Sequence, residues 1–458
     1  MVLALNDVVL ALPDDAFLPF GPEGLNSGDT AWVIAATALV LFMTPGLAFF
    51  YGGLSRQKSV LNMMMMSFGS LGLVSVIYVL WGYSMSFSNA HTGADDIGGV
   101  FADPFALFGV SQLLETKDLP DGSTAYVSGG FGTVPAIVWV AFQLTFAVIT
   151  VALISGSVAE RMKFGTWLLF GGIWVTLVYF PLAHMVWGGG LLSNAEGGIA
   201  AKLFGVNEEG TANVAPIDFA GGTVVHINAG MAGLVLALLL GKRLGFGRIA
   251  YRPHNVPFVL LGASILWFGW YGFNVGSEGA ADMIAGQVFV NTTAATAAAM
   301  LSWLVVERIR DGHATSVGAA SGVVAGLVAI TPACGALTPV GSLILGAVAG
   351  VLSALAIGLK YKFGYDDSLD VVGVHLVAGL WGTVGIGFLA SETGLFYGGD
   401  YKQLVVQVII ALVAVVFTAI MTAIIAFIVK PLGWRVSKED EDTGIDETEH
   451  AETAYELA

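Results

Sequence analysis

Residues 216–243 read Pro216-Ile-Asp218-Phe-Ala-Gly-Gly-Thr-Val-Val-His226-Ile-Asn-Ala-Gly230, then Met-Ala-Gly, an aliphatic run and Gly241-Lys242-Arg243. An acid stands at one end, basic residues stand at the other, and roughly 22 apolar residues lie between. That is about the length that crosses a ~30 Å hydrocarbon core at ~1.5 Å per residue. The stretch is therefore a membrane-spanning helix. An imidazole inside such a span is costly unless it lines a cavity or finds a partner. His226 is the first candidate functional residue.

Composition gives the same class. With 56% hydrophobic and 11% charged residues and 61 glycines in 458, and a mean hydropathy of +0.80, a water-soluble globule would expose far too much apolar surface. The chain is an all-α polytopic membrane protein. One cysteine, Cys334, excludes an intrachain disulfide. The net charge of −16 is carried mostly by the N-terminal segment, the 88–132 loop and the tail, and it offers nothing to nucleic acid. Asp7, Asp14, Asp15 and Glu23 interrupt the N-terminus, which lacks the basic start of a signal peptide.

Apolar segments of spanning length begin near Ala31, Leu61, Val134, Thr166, Phe219, Val256, Ile284, Val317, Leu343, Val371 and Leu404, which predicts eleven transmembrane helices. The eighth is short and broken by Pro332. Of the 18 basic residues, all but Lys117, Lys202 and Lys402 fall on one side of this arrangement. By the positive-inside rule the N-terminus is outside and the tail is cytoplasmic. The organisation expected is an extracytoplasmic segment (1–30), a transmembrane domain (31–429) and a cytoplasmic acidic tail (430–458). That tail, poor in apolar residues, should be flexible on its own. Loops 88–132 and 187–216 should be ordered only by packing on the bundle.

Spans five and ten carry related patterns, Asp218-x7-His226 and Asp370-Val-Val-Gly-Val-His375. Five is odd, so two such halves enter the membrane in opposite directions. The fold expected is an inverted 5+5 repeat with a site between the halves and an eleventh helix as a brace. The Gly318-xxx-Gly322-xxx-Gly326 stripe of span eight signals close helix packing and says nothing of substrate.

Chemistry has to come from the few polar groups within the spans, because no Lys or Arg lies in their apolar bodies. Those groups are His226 and His375, aspartates near two span starts, and three clusters: Phe142-Gln143-Leu-Thr-Phe146, Ala183-His184-Met-Val-Trp187, and Trp270-Tyr271-Gly-Phe273-Asn-Val-Gly-Ser277. A histidine in a soluble core is usually structural; within lipid the balance reverses, and two at corresponding places favour a pore or relay. Asp218 stands eight residues before His226, roughly 12 Å along a helix, too far for contact. Its first role is to cap the helix and complement its dipole; its second is to favour a cation at the entrance. Trp81 and Trp434 read as interfacial anchors, whereas Trp187, in a Gly-rich stretch beside a Phe pair, suits a cation–π vestibule.

The Asp218–Ala229 stretch resembles the signature of the ammonium transporter family (Amt/Mep/Rh). So do Phe50-Tyr51-Gly-Gly-Leu, Ala183-His-Met-Val-Trp187-Gly-Gly-Gly, Gly269-Trp-Tyr-Gly-Phe-Asn-Val-Gly-Ser277 and Asp370–His375. The matches run from span one to span ten in family order and are most similar to the bacterial and archaeal Amt branch. The resemblance implies a homotrimer with one pore per subunit, in the cell membrane, with no cofactor, no metal and no enzymatic activity. It places Phe142, Phe146, Trp187 and Ser277 at an outer ammonium site, Phe146 and Phe273 in a stacked phenyl gate, and His226, His375 and Trp270 in the pore. Asp218 matches the family's essential aspartate.

The physics agrees with those placements. Aromatic faces hold a small cation for ~0.5–2 kcal/mol each, and the Ser277 hydroxyl accepts a hydrogen bond that ammonium donates and potassium does not. Moving the intact ion through an apolar pore is expensive; neutral ammonia, with the proton passed separately between two imidazoles, avoids most of that cost. The tail stretch Gly444–Tyr455 is similar to the C-terminal motif of transporters regulated by PII-type (GlnK-like) proteins, against a default reading as a solvated acidic tail. Two other classes are weighed: an ammonium sensor on the same fold, and a redox protein with His226 and His375 as haem ligands.

Overall fold

The computed structural model describes residues 24–92, 96–118, 124–126 and 130–455. Most of the expected 1–30 segment and parts of the 88–132 loop lie outside the described residues. Among the described residues, ten helices are long and apolar enough to cross a membrane. They are Ser27–Leu54 (α1), Gln57–Asn89 (α2), Ala136–Val158 (α3), Phe164–Trp187 (α4), Gly222–Leu240 (α5), Val256–Val275 (α6), Met283–Asp311 (α7), Pro339–Phe363 (α9), Val372–Leu389 (α10) and Lys402–Leu432 (α11). Between α7 and α9 lies a shorter apolar helix, Ser316–Ile330 (α8). It stops two residues before Pro332, which has no N–H to donate back into the helix. The non-helical backbone beyond is paired, Phe219 N donating to Pro332 O (3.1 Å) and Asn291 Nδ2 to Cys334 O (2.8 Å).

Side chains at the helix starts meet the free amides there. Asn26, Asn255, Asp282, Thr315 and Thr338 each accept from the first turn of α1, α6, α7, α8 and α9. The glycine stripe of α8 lies against α7. A methyl group on Gly322 would meet Met300 and Trp303, and one on Gly326 would meet Ala299 and Thr296. Close backbone approach is what lets dispersion forces hold helices together in lipid. Outward-facing apolar side chains such as Phe268, Ile309, Leu412 and Phe427 remain more than half exposed, as a bundle surrounded by hydrocarbon requires.

The 88–132 loop contributes more than packing: it forms short hairpins, Asp96–Ile97 with Phe101–Ala102 and Gly130–Phe131 with Val134–Pro135. The tail also takes up structure against the bundle. Helices Lys438–Thr443 and Ile445–His450 follow a Ser437–Asp440 capping box, and Ile445 is fully buried. Composition alone predicts flexibility because it does not see the partners. The Asp446 carboxylate accepts from the amides of Leu61 (3.0 Å) and Asn62 (2.7 Å), and Glu449 accepts from Phe164 N (3.0 Å), so tail acids cap α2 and α4. Beside them, Arg56–Glu160 (2.7 Å) and Arg243–Asp366 (2.9 Å) join loops to one another, Arg435–Glu441 (2.9 Å) lies within the tail, and Glu441 ties the tail to a loop by accepting from Leu244 N (2.6 Å). Burial works to raise the Asp366 carboxyl, but hydrogen bonding to Arg243 and the charge of Arg161 hold it below the ordinary carboxylate range.

Candidate functional site

Five of the spanning helices contain a π-helical turn, a distortion that widens the backbone and is frequent at functional sites. Three of the five carry residues the resemblance places in the gate or the pore. Gly222–Ile227 opens α5 and holds His226, Tyr271–Val275 ends α6 and holds Phe273, and Val372–Val377 opens α10 and holds His375.

Each histidine helix is capped by a buried carboxylate. Asp218 accepts from the amides of Gly221 (3.0 Å), Thr223 (2.9 Å) and Val224 (3.3 Å), and also from Gly222 N and the Thr223 hydroxyl. Gly221 sits at φ +113°, a conformation that a side chain would strain, and this turn brings four successive amides onto one carboxylate. On α10 the corresponding acid is Asp367, which accepts from Val371 N (3.1 Å) and Val372 N (2.7 Å). Asp370, the acid of the sequence pattern, instead pairs with Lys360 at 2.7 Å. The signal that finds Asp367 is spacing: it precedes His375 by the same interval that separates Asp218 from His226.

Between the two capped ends the aromatic and imidazole rings form a column. Trp187 meets Phe146 edge-on at 6.1 Å, and its indole N–H donates to the Asp218 carbonyl (2.9 Å). Phe146 stacks on Phe273 with centroids 4.0 Å apart and planes 11° from parallel. Phe142 touches Phe146 at 4.9 Å and is as fully buried as Phe146 and Phe273. Ser277 lies one turn beyond Phe273 and donates its hydroxyl to the Phe273 carbonyl (2.8 Å), which leaves the oxygen's lone pairs available. Below the stacked phenyls, His226 lies 6.1 Å from Phe273, stacks on Trp270 (5.4 Å, 16°) and faces His375 with the Nδ1 atoms 3.4 Å apart.

A narrow, almost wholly apolar cavity runs beside the imidazoles, with Met43, Leu47, Leu266 and Val324 among its walls. His226 Nε2 has no hydrogen-bond partner among the described residues. Trp270 is held by a chain the sequence did not signal: its N–H donates to Thr331 (2.8 Å), which contacts Asn274 (3.2 Å), which donates to Thr292 (3.0 Å). Chemically, the column offers aromatic faces for a small cation at one end and two coupled, desolvated imidazoles within. Their 3.4 Å approach leaves no space for a haem macrocycle between them.

A family model described as Ammonium Transporter Family matches residues 31–455. An ammonium transporter of Mycobacterium bovis is 53% identical over 455 residues, covering 95% of this chain and 91% of that protein. Among solved structures, Mep2 of Candida albicans superposes with a TM-score of 0.77 at 31% identity, covering 91% of this chain and 88% of that one. A structure described as a Sensor Amt Protein gives the same TM-score at 26% identity, over 92% of this chain and 98% of its own.

Proposed function

The chain belongs to the ammonium transporter family, and from that premise we propose a route for ammonium: recruitment outside, deprotonation, passage as ammonia, and reprotonation inside. Recruitment is by the faces of Phe146 and Trp187 and by the Ser277 hydroxyl, with Phe142 near them. The proton leaves near the Phe146–Phe273 gate, and ammonia moves past His226, His375 and Trp270. The observation that carries this reading is the imidazole pair at 3.4 Å beside an apolar cavity. Such a cavity favours a neutral species over an ion, and a donor nitrogen facing an acceptor nitrogen suits proton hand-over. Asp218 holds the end of α5 and fixes the Trp187 indole through its carbonyl, which supports a structural role shaping the vestibule.

Orientation follows the basic residues, with the N-terminus and Trp187 outside and the tail in the cytoplasm of a cell-membrane protein. Membership of this family supports assembly as a homotrimer. The packed acidic tail supports docking of a PII-type (GlnK-like) protein, which fails if deletion of 436–458 leaves a pull-down unchanged. Electrogenic uptake predicts ammonium-dependent currents in supported membranes; silence under an ammonium gradient leaves passive ammonia conduction. The likeness to a Sensor Amt Protein favours one second reading, a sensor that binds ammonium without conducting it. Methylammonium uptake by cells lacking their own transporters separates the two.

A further inference from the structure

We propose that His184 and Asp96 act as a positioning pair for Trp187, setting the affinity of the outer site; the inference rests on the recruitment reading above. His184 is fully buried, yet it takes no part in the column of rings. It lies three residues before Trp187 on the last turn of α4, so the two side chains share a helix face. Its Nδ1 is 3.0 Å from the Ser86 carbonyl of α2, and its Nε2 is 3.2 Å from the Asp96 carboxylate on the 96–102 hairpin. Both partners are acceptors. A neutral imidazole has one N–H and satisfies one of them, whereas an imidazolium satisfies both. The imidazole thereby bridges α2 and the hairpin that carries Asp96.

The backbone that follows Trp187 is wrapped around this imidazole. Gly188 and Gly190 donate to the His184 carbonyl (2.9 and 3.1 Å), and Asn89 donates to the Gly188 carbonyl (2.9 Å). A methyl group on Gly188 would collide with the Ser86 carbonyl and crowd His184 Nδ1. Leu191 N donates to Gly99 O (2.8 Å), which ties the same hairpin that carries Asp96 to the chain leaving Trp187. The indole is thus held from two directions, by the Asp218 carbonyl at its N–H and by the His184 turn at its backbone. Loss of the His184–Asp96 contact frees the second hold. The histidine does not touch substrate; it acts through Trp187.

The test is methylammonium uptake by the purified full-length protein in vesicles, for wild type, Asp96→Ala, His184→Gln and the double variant. Each single substitution is expected to raise the half-saturation concentration roughly threefold to tenfold, while the maximal rate changes by less than about twofold. Acting as a unit, the pair predicts a double variant no weaker than His184→Gln. Asp96 is partly exposed, so its variant keeps the test intact if His184→Gln fails to fold. Wild-type half-saturation in Asp96→Ala overturns the proposal, as does a fall in maximal rate alone. A wild-type protein that takes up no methylammonium overturns the recruitment reading itself, and this inference with it.

Discussion

The Nδ1 atoms of His226 and His375 face one another at 3.4 Å. Two ring nitrogens at that range share one hydrogen, one ring donating while the other accepts. Replacing either ring removes the proposed relay and enlarges the cavity. His226→Ala and His375→Ala are each expected to lower the preference for ammonium over potassium by about tenfold or more, about 1.4 kcal/mol. Currents in supported membranes under matched ammonium and potassium gradients measure this. Unchanged preference in both variants would falsify the relay.

Much of this arrangement was legible in the chain. Span length and hydropathy located the apolar helices, because lipid leaves the backbone few alternatives. The family resemblance indicated Phe146, Phe273, Trp187, Trp270, His226 and His375, which the fold gathers in one column. Asp367 was missed because the pattern drew attention to the nearer Asp370, and only the three-dimensional turn shows which carboxylate meets the free amides. The docking of the tail on the bundle is not legible for a related reason. Its stabilising partners, the amides of Leu61, Asn62 and Phe164, are distant in sequence and have no compositional signature.

Asp218 and Asp367 are predicted to stabilise the two halves unequally. Asp218 satisfies four amides and a hydroxyl, Asp367 two amides. Each buried donor left without an acceptor costs ~1–3 kcal/mol. Asp218→Ala should therefore lower the thermal inactivation temperature in detergent more than Asp367→Ala, and Asp218→Asn, which keeps one acceptor, should fall between Asp218→Ala and wild type. Equal losses would mean that neighbouring groups replace the carboxylates.

Phe146 and Phe273 are stacked at 4.0 Å, and offset aromatic pairs are worth ~0.5–1.5 kcal/mol beyond burial. A double-mutant cycle of Phe146→Leu and Phe273→Leu, read by denaturation, should give a coupling in that range. Phe146 also faces Trp187, so Phe146→Leu alone is expected to weaken methylammonium half-saturation more than Phe273→Leu does. The reverse order would place recruitment below the gate.

The tail is predicted to be held by caps rather than by apolar burial alone. Asp446→Ala removes the acceptor for the amides of Leu61 and Asn62. An N-cap loss of ~1 kcal/mol corresponds to about fivefold faster local opening. Hydrogen exchange of residues 445–450 should quicken by about that factor, while α3 and α10 stay unchanged. A uniform change across the bundle would assign Asp446 a global role.

Glu278 adjoins Ser277, and its carboxyl is pushed up to about 7, first by burial and then by the neighbouring Asp282. As pH rises through 7 the group gains its charge beside the proposed recruitment site. A unit charge roughly 10 Å from a bound cation in water is worth about 0.4 kcal/mol, or about twofold in affinity. Methylammonium half-saturation should therefore fall about twofold between external pH 6 and 8 in wild type and stay flat in Glu278→Gln. Stability runs the other way. A carboxyl whose folded pKa exceeds its unfolded value binds its proton more tightly when folded, so its contribution is full below the unfolded value and is lost as pH rises through about 7. Glu278→Gln should be the less pH-sensitive protein in thermal inactivation across the same interval. If it loses stability with alkalinity as steeply as wild type, another group carries that dependence; a wild-type half-saturation indifferent to pH would remove Glu278 from the electrostatics of the site.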